Sequence, residues 1–306
     1  MRLINRGKRM DKIKAAILGS GNIGMNLLYK IKKSPILECS YLVGRNPSSS
    51  NLKKAKEMGY NVSSDSIQAL VDHAESFDII FDATTAESHI ENKKIFQALD
   101  KYVVDLTPSK NGIFCIPCLN KEESIKEREV NMVTCGGQSM VPIATAITGT
   151  GCHVSYLETI STISSISAGE GTRSNIDEYI ETTSDALKIF TGVEHTKAMI
   201  ILNPSEPPIL MRNTLYAVAD DFNLPKITKA VAEMEERIKF YVPGYQVIVK
   251  PVFFADNIIT VSAQVEGTGD FLPAFAGNLD IITCAGLNIA EAFAYGIIKK
   301  SFTFGG

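Results

Sequence analysis

Cys135 is followed at once by Gly136 and Gly137 and ends the apolar run "VNMVT". The run reads as a buried strand, and the residues from about Gln138 read as a helix. A thiol in that place sits at the positive end of a helix dipole, which favours thiolate and makes it a nucleophile. Two glycines let a substrate approach and leave backbone N–H groups free to hold an oxyanion. The other reading of the same residues is a buried structural cysteine, the commoner fate of a free thiol.

A second pattern, Gly19-Ser20-Gly21-Asn22-Ile23-Gly24, is GxGxxG between a predicted strand and a predicted helix. Its glycines allow a tight turn and bring backbone close to a pyrophosphate at the helix N-terminus. The next strand ends "LVGRNPSSS", with Arg45 and Asn46 where a carboxylate usually holds the adenosine ribose. An arginine there pairs with a 2′-phosphate, so NADP is expected beside NAD. A dinucleotide site together with an activated thiol predicts oxidation of an aldehyde. The sulfur adds to the carbonyl, hydride leaves to the nicotinamide, and a thioester remains on the enzyme.

Other candidates are weaker by residue type. "SAGEGTRSN" (Ser167, Ala168, Gly169, Glu170, Gly171, Thr172, Arg173, Ser174, Asn175) precedes a helix and offers small side chains, N–H groups and one guanidinium to a phosphate or ribose. It also reads as an ordinary capped loop. Asn278 in "AGNLD" reads as a contact or as a helix N-cap. His73, His89, His153 and His195 fall in no nucleophile motif and are read as outside the chemistry. Cys115 and Cys118 form a CxxC without a second pair, and no metal site is expected. Cys39, Cys152 and Cys284 are read as structural.

The elements that position these residues follow from periodicity. Up to about residue 134, strands such as "KIKAAIL", "ECSYLVG", "FDIIFDAT" and "YVVDLT" alternate with helices such as "NIGMNLLYKIKK" and "HIENKKIFQAL". That alternation predicts a doubly wound parallel sheet of Rossmann type. Residues 135–276, with "HVSYLETISTISSIS", "YQVIVKPVFF" and "NIITVSAQVEG" as strands, predict an α+β catalytic and dimerisation domain with a largely antiparallel sheet. Residues 277–306 predict an apolar helix that returns to the first domain. With 31 basic and 34 acidic residues the net charge is −3, which gives no electrostatic case for nucleic acid or an anionic membrane. No apolar run is read as the roughly 20-residue span a membrane helix needs. The basic start "MRLINRGKRM" lacks the apolar stretch of a signal peptide, so Met10 is a second candidate start and the cytoplasm is the default location.

"AAILGSGNIG", "FDAT", "DLTP", "NMVTCGGQ", "SISAGEGTRSNIDE", "ETTS", "LNPSEPPILMRNT", "YVPGY" and "LPAFAGNLDIIT" together resemble the acylating acetaldehyde dehydrogenases, from about Asp11 to Ile298. Members of that family partner 4-hydroxy-2-oxovalerate aldolases in aromatic-compound degradation. The resemblance implies acetaldehyde, NAD and coenzyme A as reactants, a thioester on Cys135, and cofactor contacts from Ser20–Ile23, Ser167–Asn175 and Asn278. It also implies a homodimer and an aldolase complex. The sequence departs from the family at Glu170, where proline is usual, and at Asn213, where an aspartate acts as base or electrostatic guide. It is also short near Asp256 and in the tail "KKSFTFGG", which bears on aldolase docking. Two rivals remain from the residues themselves: a phosphorylating semialdehyde or acyl-phosphate reductase, and a nucleotide-binding redox sensor without turnover.

Overall fold

The computed structural model describes residues 11–254 and 257–299. The leader 1–10, the position near Asp256 and the tail beyond Lys299 lie outside the described residues. In chain order the elements are β1 (Ile13–Leu18), α1 (Asn22–Lys33), β2 (Leu37–Val43), α2 (Ser50–Glu57), β3 (Asn61–Ser63), α3 (Ile67–Asp72), β4 (Ile79–Asp82), α4 (Ala86–Leu99), β5 (Tyr102–Asp105), β6 (Ile113–Phe114), α5 (Pro117–Ser124) and β7 (Glu129–Asn131). There follow α6 (Cys135–Thr148), β8 (His153–Ser164), α7 (Glu170–Ser174), α8 (Ile176–Thr191), β9 (His195–Asn203), β10 (Met211–Asp220), α9 (Leu224–Lys239), β11 (Tyr245–Phe254), β12 (Ile258–Val265) and α10 (Gly277–Lys299).

β1 to β7 form one parallel sheet in the order β3-β2-β1-β4-β5-β7-β6. Its central strands are apolar because helices cover both faces. The chain winds to one side of β1 and then, from β4, to the other. The crevice at the strand ends beside β1 is therefore where such sheets take ligands.

The second sheet runs β11-β12-β10-β8-β9, antiparallel except for the β8–β9 pair. One face, carrying Leu157, Leu215, Ala217, Val261 and Ala263, packs beneath α6, α8 and α9. α6 joins the two sheets and is buried along nearly its whole length. α10 lies between the two cores, with Ile281 and Cys284 in one and Ile282, Ala285, Ile289 and Phe293 in the other.

Three expectations change. α6 begins at Cys135 rather than near Gln138, because Thr134 caps it and accepts the Gly137 N–H. The 167–175 segment is not all loop, since five of its residues form α7. α10, 23 residues long, is apolar and long enough to cross a membrane by composition, which overturns the reading of no such run; most of it is buried inside the protein.

Candidate active site

The region around Cys135 is built on a strained turn. Val133 has φ +60°, a conformation costly for a β-branched residue and typical of functional turns. Its N–H is taken by Asn131 Oδ1 at 2.8 Å, and Asn131 Nδ2 donates to Asp105 Oδ2 at 2.7 Å and to the Thr107 carbonyl at 3.0 Å. Gln138 ties the following helix back by donating to the carbonyls of Cys115 and Met132, each at 2.8 Å. The turn delivers Cys135 as the first residue of α6.

Cys135 is half-buried, and its thiol lies 3.9 Å from the Tyr179 hydroxyl. Burial pushes the thiol up to about 11, against the pull of Tyr179 and of the Gly136 and Cys135 N–H groups. The expectation that the helix dipole depresses this pKa does not hold here, because withdrawal from water outweighs the dipole. Gly137 is also no longer a free oxyanion donor, since Thr134 holds its N–H.

Asn213 meets α6 at Ser139, one helical turn beyond Cys135. It is fully buried on β10 and donates Nδ2 to Ser139 Oγ at 3.0 Å, while its Oδ1 has no partner among the described residues. Ser139 is also fixed from β11, where the Tyr245 hydroxyl donates to its carbonyl at 2.9 Å.

The glycine turn has the shape a pyrophosphate requires. Gly19 has φ +112°, and a Cβ there would run into the Ala83 carbonyl; a Cβ on Gly24 would strike the Gly19 carbonyl. Above Gly21 the space is open, and no side chain caps α1, so its first-turn N–H groups are left for a ligand. Ser20 lies 3.4 Å from Ser49, and its carbonyl accepts from Asn51 at 2.8 Å, which sets the loop after β2 beside the turn. Arg45 is exposed on that loop.

The 167–175 segment closes the other side. Asn175 Oδ1 accepts the Ala86 N–H at 3.3 Å, joining this segment to the β4–α4 turn against which Gly19 packs. Arg173 is spent holding its own loop, donating to the Ala168 carbonyl and to Ser165, all near 3.0 Å. The Glu170 side chain lies outside the described residues. Asn278 is not an N-cap in use: it lies inside α10, nearly fully buried, with an unpartnered Oδ1. Two residues on, Asp280 accepts from Asn26 and pairs with Lys30 at 2.7 Å, pinning α10 to α1. A buried acceptor without a partner among the described residues, on a helix pinned to α1 whose N-terminal glycine turn is open and uncapped, fits a dinucleotide with an amide to satisfy.

Two groups escaped the sequence reading. Tyr179 carried no motif signal. His89 was one of four dismissed histidines; it is fully buried, with Asp82 at 2.8 Å, Asp105 at 3.5 Å and Glu129 at 3.0 Å. Burial opposes its charge, but these carboxylates prevail and raise it to about 10, so it is an imidazolium. Asp105, in turn, is raised to about 6 by burial despite His89. The cluster braces the ends of β4 and β5 and the start of β7, and through Asp105 and Asn131 the strained turn. Two aspartates ending adjacent strands, Asp82 and Asp105, with one histidine on the intervening helix, were the available clue.

Residues 135–273 match the family described as prokaryotic acetaldehyde dehydrogenase, dimerisation. Over 282 residues the chain is 49% identical to an acetaldehyde dehydrogenase of Pectobacterium atrosepticum, covering 92% of this chain and 95% of the relative. One from Bacillus thuringiensis is 46% identical over 291 residues, covering 95% and 97%. The crystal structure of aspartate semialdehyde dehydrogenase II from Vibrio cholerae superposes with a TM-score of 0.63 at 11% identity, covering 93% of this chain and 99% of that one. At that identity the likeness concerns the fold alone.

Proposed function

The chain belongs to the acetaldehyde dehydrogenase family, and from that premise we propose that it converts a short aldehyde, NAD and coenzyme A into acyl-CoA and NADH through a thioester on Cys135. The observation that carries this reading is the half-buried Cys135 thiol, delivered by a strained turn onto the first residue of a buried helix. A bound nicotinamide would supply the hydride acceptor, held by the residues assigned below.

The chain's own residues do the rest. The sulfur of Cys135 attacks the carbonyl carbon, and the Gly136 N–H, which already faces that region, holds the developing oxyanion. Once hydride has left, the acyl group sits on Cys135 until the thiol of coenzyme A displaces it. We assign Ser20, Gly21, Asn22 and Ile23 to the pyrophosphate and Asn278 Oδ1 to the carboxamide. Arg45 is assigned to a 2′-phosphate when NADP is used. Asn213, which meets α6 at Ser139 one turn beyond Cys135, supplies no base, since an amide accepts no proton near neutrality.

The homodimer contact is assigned to the outer face of the five-stranded sheet. All five strands fall within the residues matched to the dimerisation family. That face is half-open, and β11 exposes Val252 and Phe254 along it, opposite Thr260 and Ile258 of β12. The cytoplasm is the proposed location.

The test uses Cys135→Ser. Native protein given acetaldehyde and NAD without coenzyme A is expected to carry an acetyl adduct on Cys135 by mass spectrometry. The variant is expected to lose CoA-dependent NADH formation at least 10³-fold while still binding NAD, because a serine hydroxyl is not ionised near neutrality. An adduct on another cysteine, or release of acyl phosphate with phosphate replacing coenzyme A, refutes this reading.

A further inference from the structure

Tyr179 projects from α8 toward the first turn of α6 and is 7% exposed. Its hydroxyl stands between two partners, the Cys135 sulfur at 3.9 Å and Ser161 Oγ at 2.9 Å. Ser161 is fully buried on β8, directly across the sheet from Asn213. The tyrosine is held where it is: Thr183, one turn on, bonds the Tyr179 carbonyl at 2.7 Å and the N-cap Thr134 at 2.7 Å. Gly136 completes the arrangement, since a Cβ at that position would collide with both the Tyr179 and the Ser161 hydroxyls.

Each hydroxyl both donates and accepts, so the row can run in either direction. With a neutral thiol, S–H donates to Tyr179 and Tyr179 donates to Ser161. When the sulfur becomes an anion, Tyr179 turns its O–H to the sulfur and Ser161 donates to Tyr179 in its place. No proton leaves the tyrosine, whose own ionisation burial pushes far out of range. The anion gains a charge-assisted hydrogen bond that the neutral thiol lacks.

We propose that Tyr179, backed by Ser161, is a catalytic residue that donates a hydrogen bond to the Cys135 sulfur whenever it is anionic. Resting on the reading of Cys135 as the acylated nucleophile, the donation acts twice: before attack on the aldehyde, and when coenzyme A expels the cysteine as a thiolate.

The surroundings leave this role to Tyr179. Among the described side chains around the thiol, Ser161 on β8 and Asn213 on β10 are neutral. On α10, Asp280 and Cys284 are engaged with Lys30. On α5, Cys118 takes the Tyr241 hydroxyl, and Arg237 donates to its carbonyl. On its own helix the sulfur meets only the Gly136 and Cys135 N–H groups.

The test needs no aldehyde and no coenzyme A, so its outcome is independent of the acyl-CoA reading. Cys135 is alkylated with iodoacetamide across pH 7–11 and followed at its own peptide by mass spectrometry, with Cys152 as internal control and the midpoint taken by extrapolation of the log-linear rise of rate with pH to the rate of the denatured protein's thiolate. Tyr179→Phe is expected to raise the midpoint by about one pH unit, and so to cut Cys135 alkylation at pH 8 about tenfold, which is the loss of one hydrogen bond to a charged group. Cys152 should be unaffected. Ser161→Ala, which leaves the tyrosine in place, is expected to shift the midpoint the same way by less. In turnover, Tyr179→Phe should lower kcat with KM for NAD unchanged. An unchanged or lowered Cys135 midpoint in Tyr179→Phe overturns the proposal and reduces the tyrosine to packing. If that variant does not fold, the same unchanged midpoint in Ser161→Ala overturns it equally.

Discussion

Asn213→Asp places a carboxylate where this chain holds a buried amide, and two magnitudes decide what it does. The first is desolvation. Asn213 is fully buried, its only described side-chain partner is Ser139, and no cation is described against it. An aspartic acid in such a place has its pKa raised by roughly two to three units, from about 3.9 to about 6–7. Ser139 can moderate this by turning its hydroxyl to donate. The second is the effect on the sulfur. Ser139, which position 213 meets at 3.0 Å, lies one helical turn from Cys135, so the new charge sits roughly 8 Å from the thiol. At an effective dielectric near 20 that is about 2 kcal/mol, or roughly one and a half pH units, raising the thiol further. The two effects pull apart in different assays. Alkylation of Cys135, which samples pre-formed thiolate, should move up by about one to two pH units in the variant. CoA-dependent turnover should instead gain a rising limb near pH 6–7, with kcat/KM at pH 7 up about tenfold, because the carboxylate takes the proton as sulfur attacks. The variant should also be less stable at pH 8 than at pH 5.5 relative to native protein, since burying the ionised form is what costs stability. Rate and alkylation profiles that both coincide with those of native protein would falsify the placement of position 213 beside the chemistry.

Arg45→Ala is expected to raise KM for NADP about tenfold and leave KM for NAD unchanged, because the guanidinium faces only the extra phosphate. Equal KM values for both cofactors before and after the change would make Arg45 an ordinary solvated side chain. For His89, the folded pKa of about 10 lies above the ordinary value of 6.5, so the imidazolium's stabilisation is fully present below about pH 6.5 and is lost as pH rises through about 10. The melting-temperature gap between native protein and His89→Gln should therefore be widest near pH 6 and narrow steadily toward pH 10; a gap of constant width across that range refutes the charged assignment.

What could be read from the chain beforehand follows a physical division. The glycine turn was legible because its requirement is local: a positive φ at Gly19 and no side chain at Gly24 are demands of backbone on backbone a few residues away. The parallel sheet was legible for a related reason, since strands buried on both faces are written as unbroken apolar runs. β10 was not, because its inward positions are Met211, Asn213, Leu215, Ala217 and Ala219, and an amide and two alanines blur the alternation on which a strand is recognised. The same residue that hid the strand is the one that marks the site. Cys135 announced itself by its two glycines, but the level of its pKa did not, since desolvation depends on how tightly α8, α10 and the second sheet close over the thiol. Tyr179 and His89 are the extreme cases. Each works through partners far off in sequence (Ser161 at 18 positions, Glu129 at 40 and Cys135 at 44), and a side chain whose role is set by its partners looks in sequence like any other aromatic or imidazole on an amphipathic helix. Glycines and nucleophiles are dictated by what must approach them, and that leaves a local trace. Hydroxyl rows and buried ion clusters are dictated by the fold as a whole, and only the assembled strand ends make them visible.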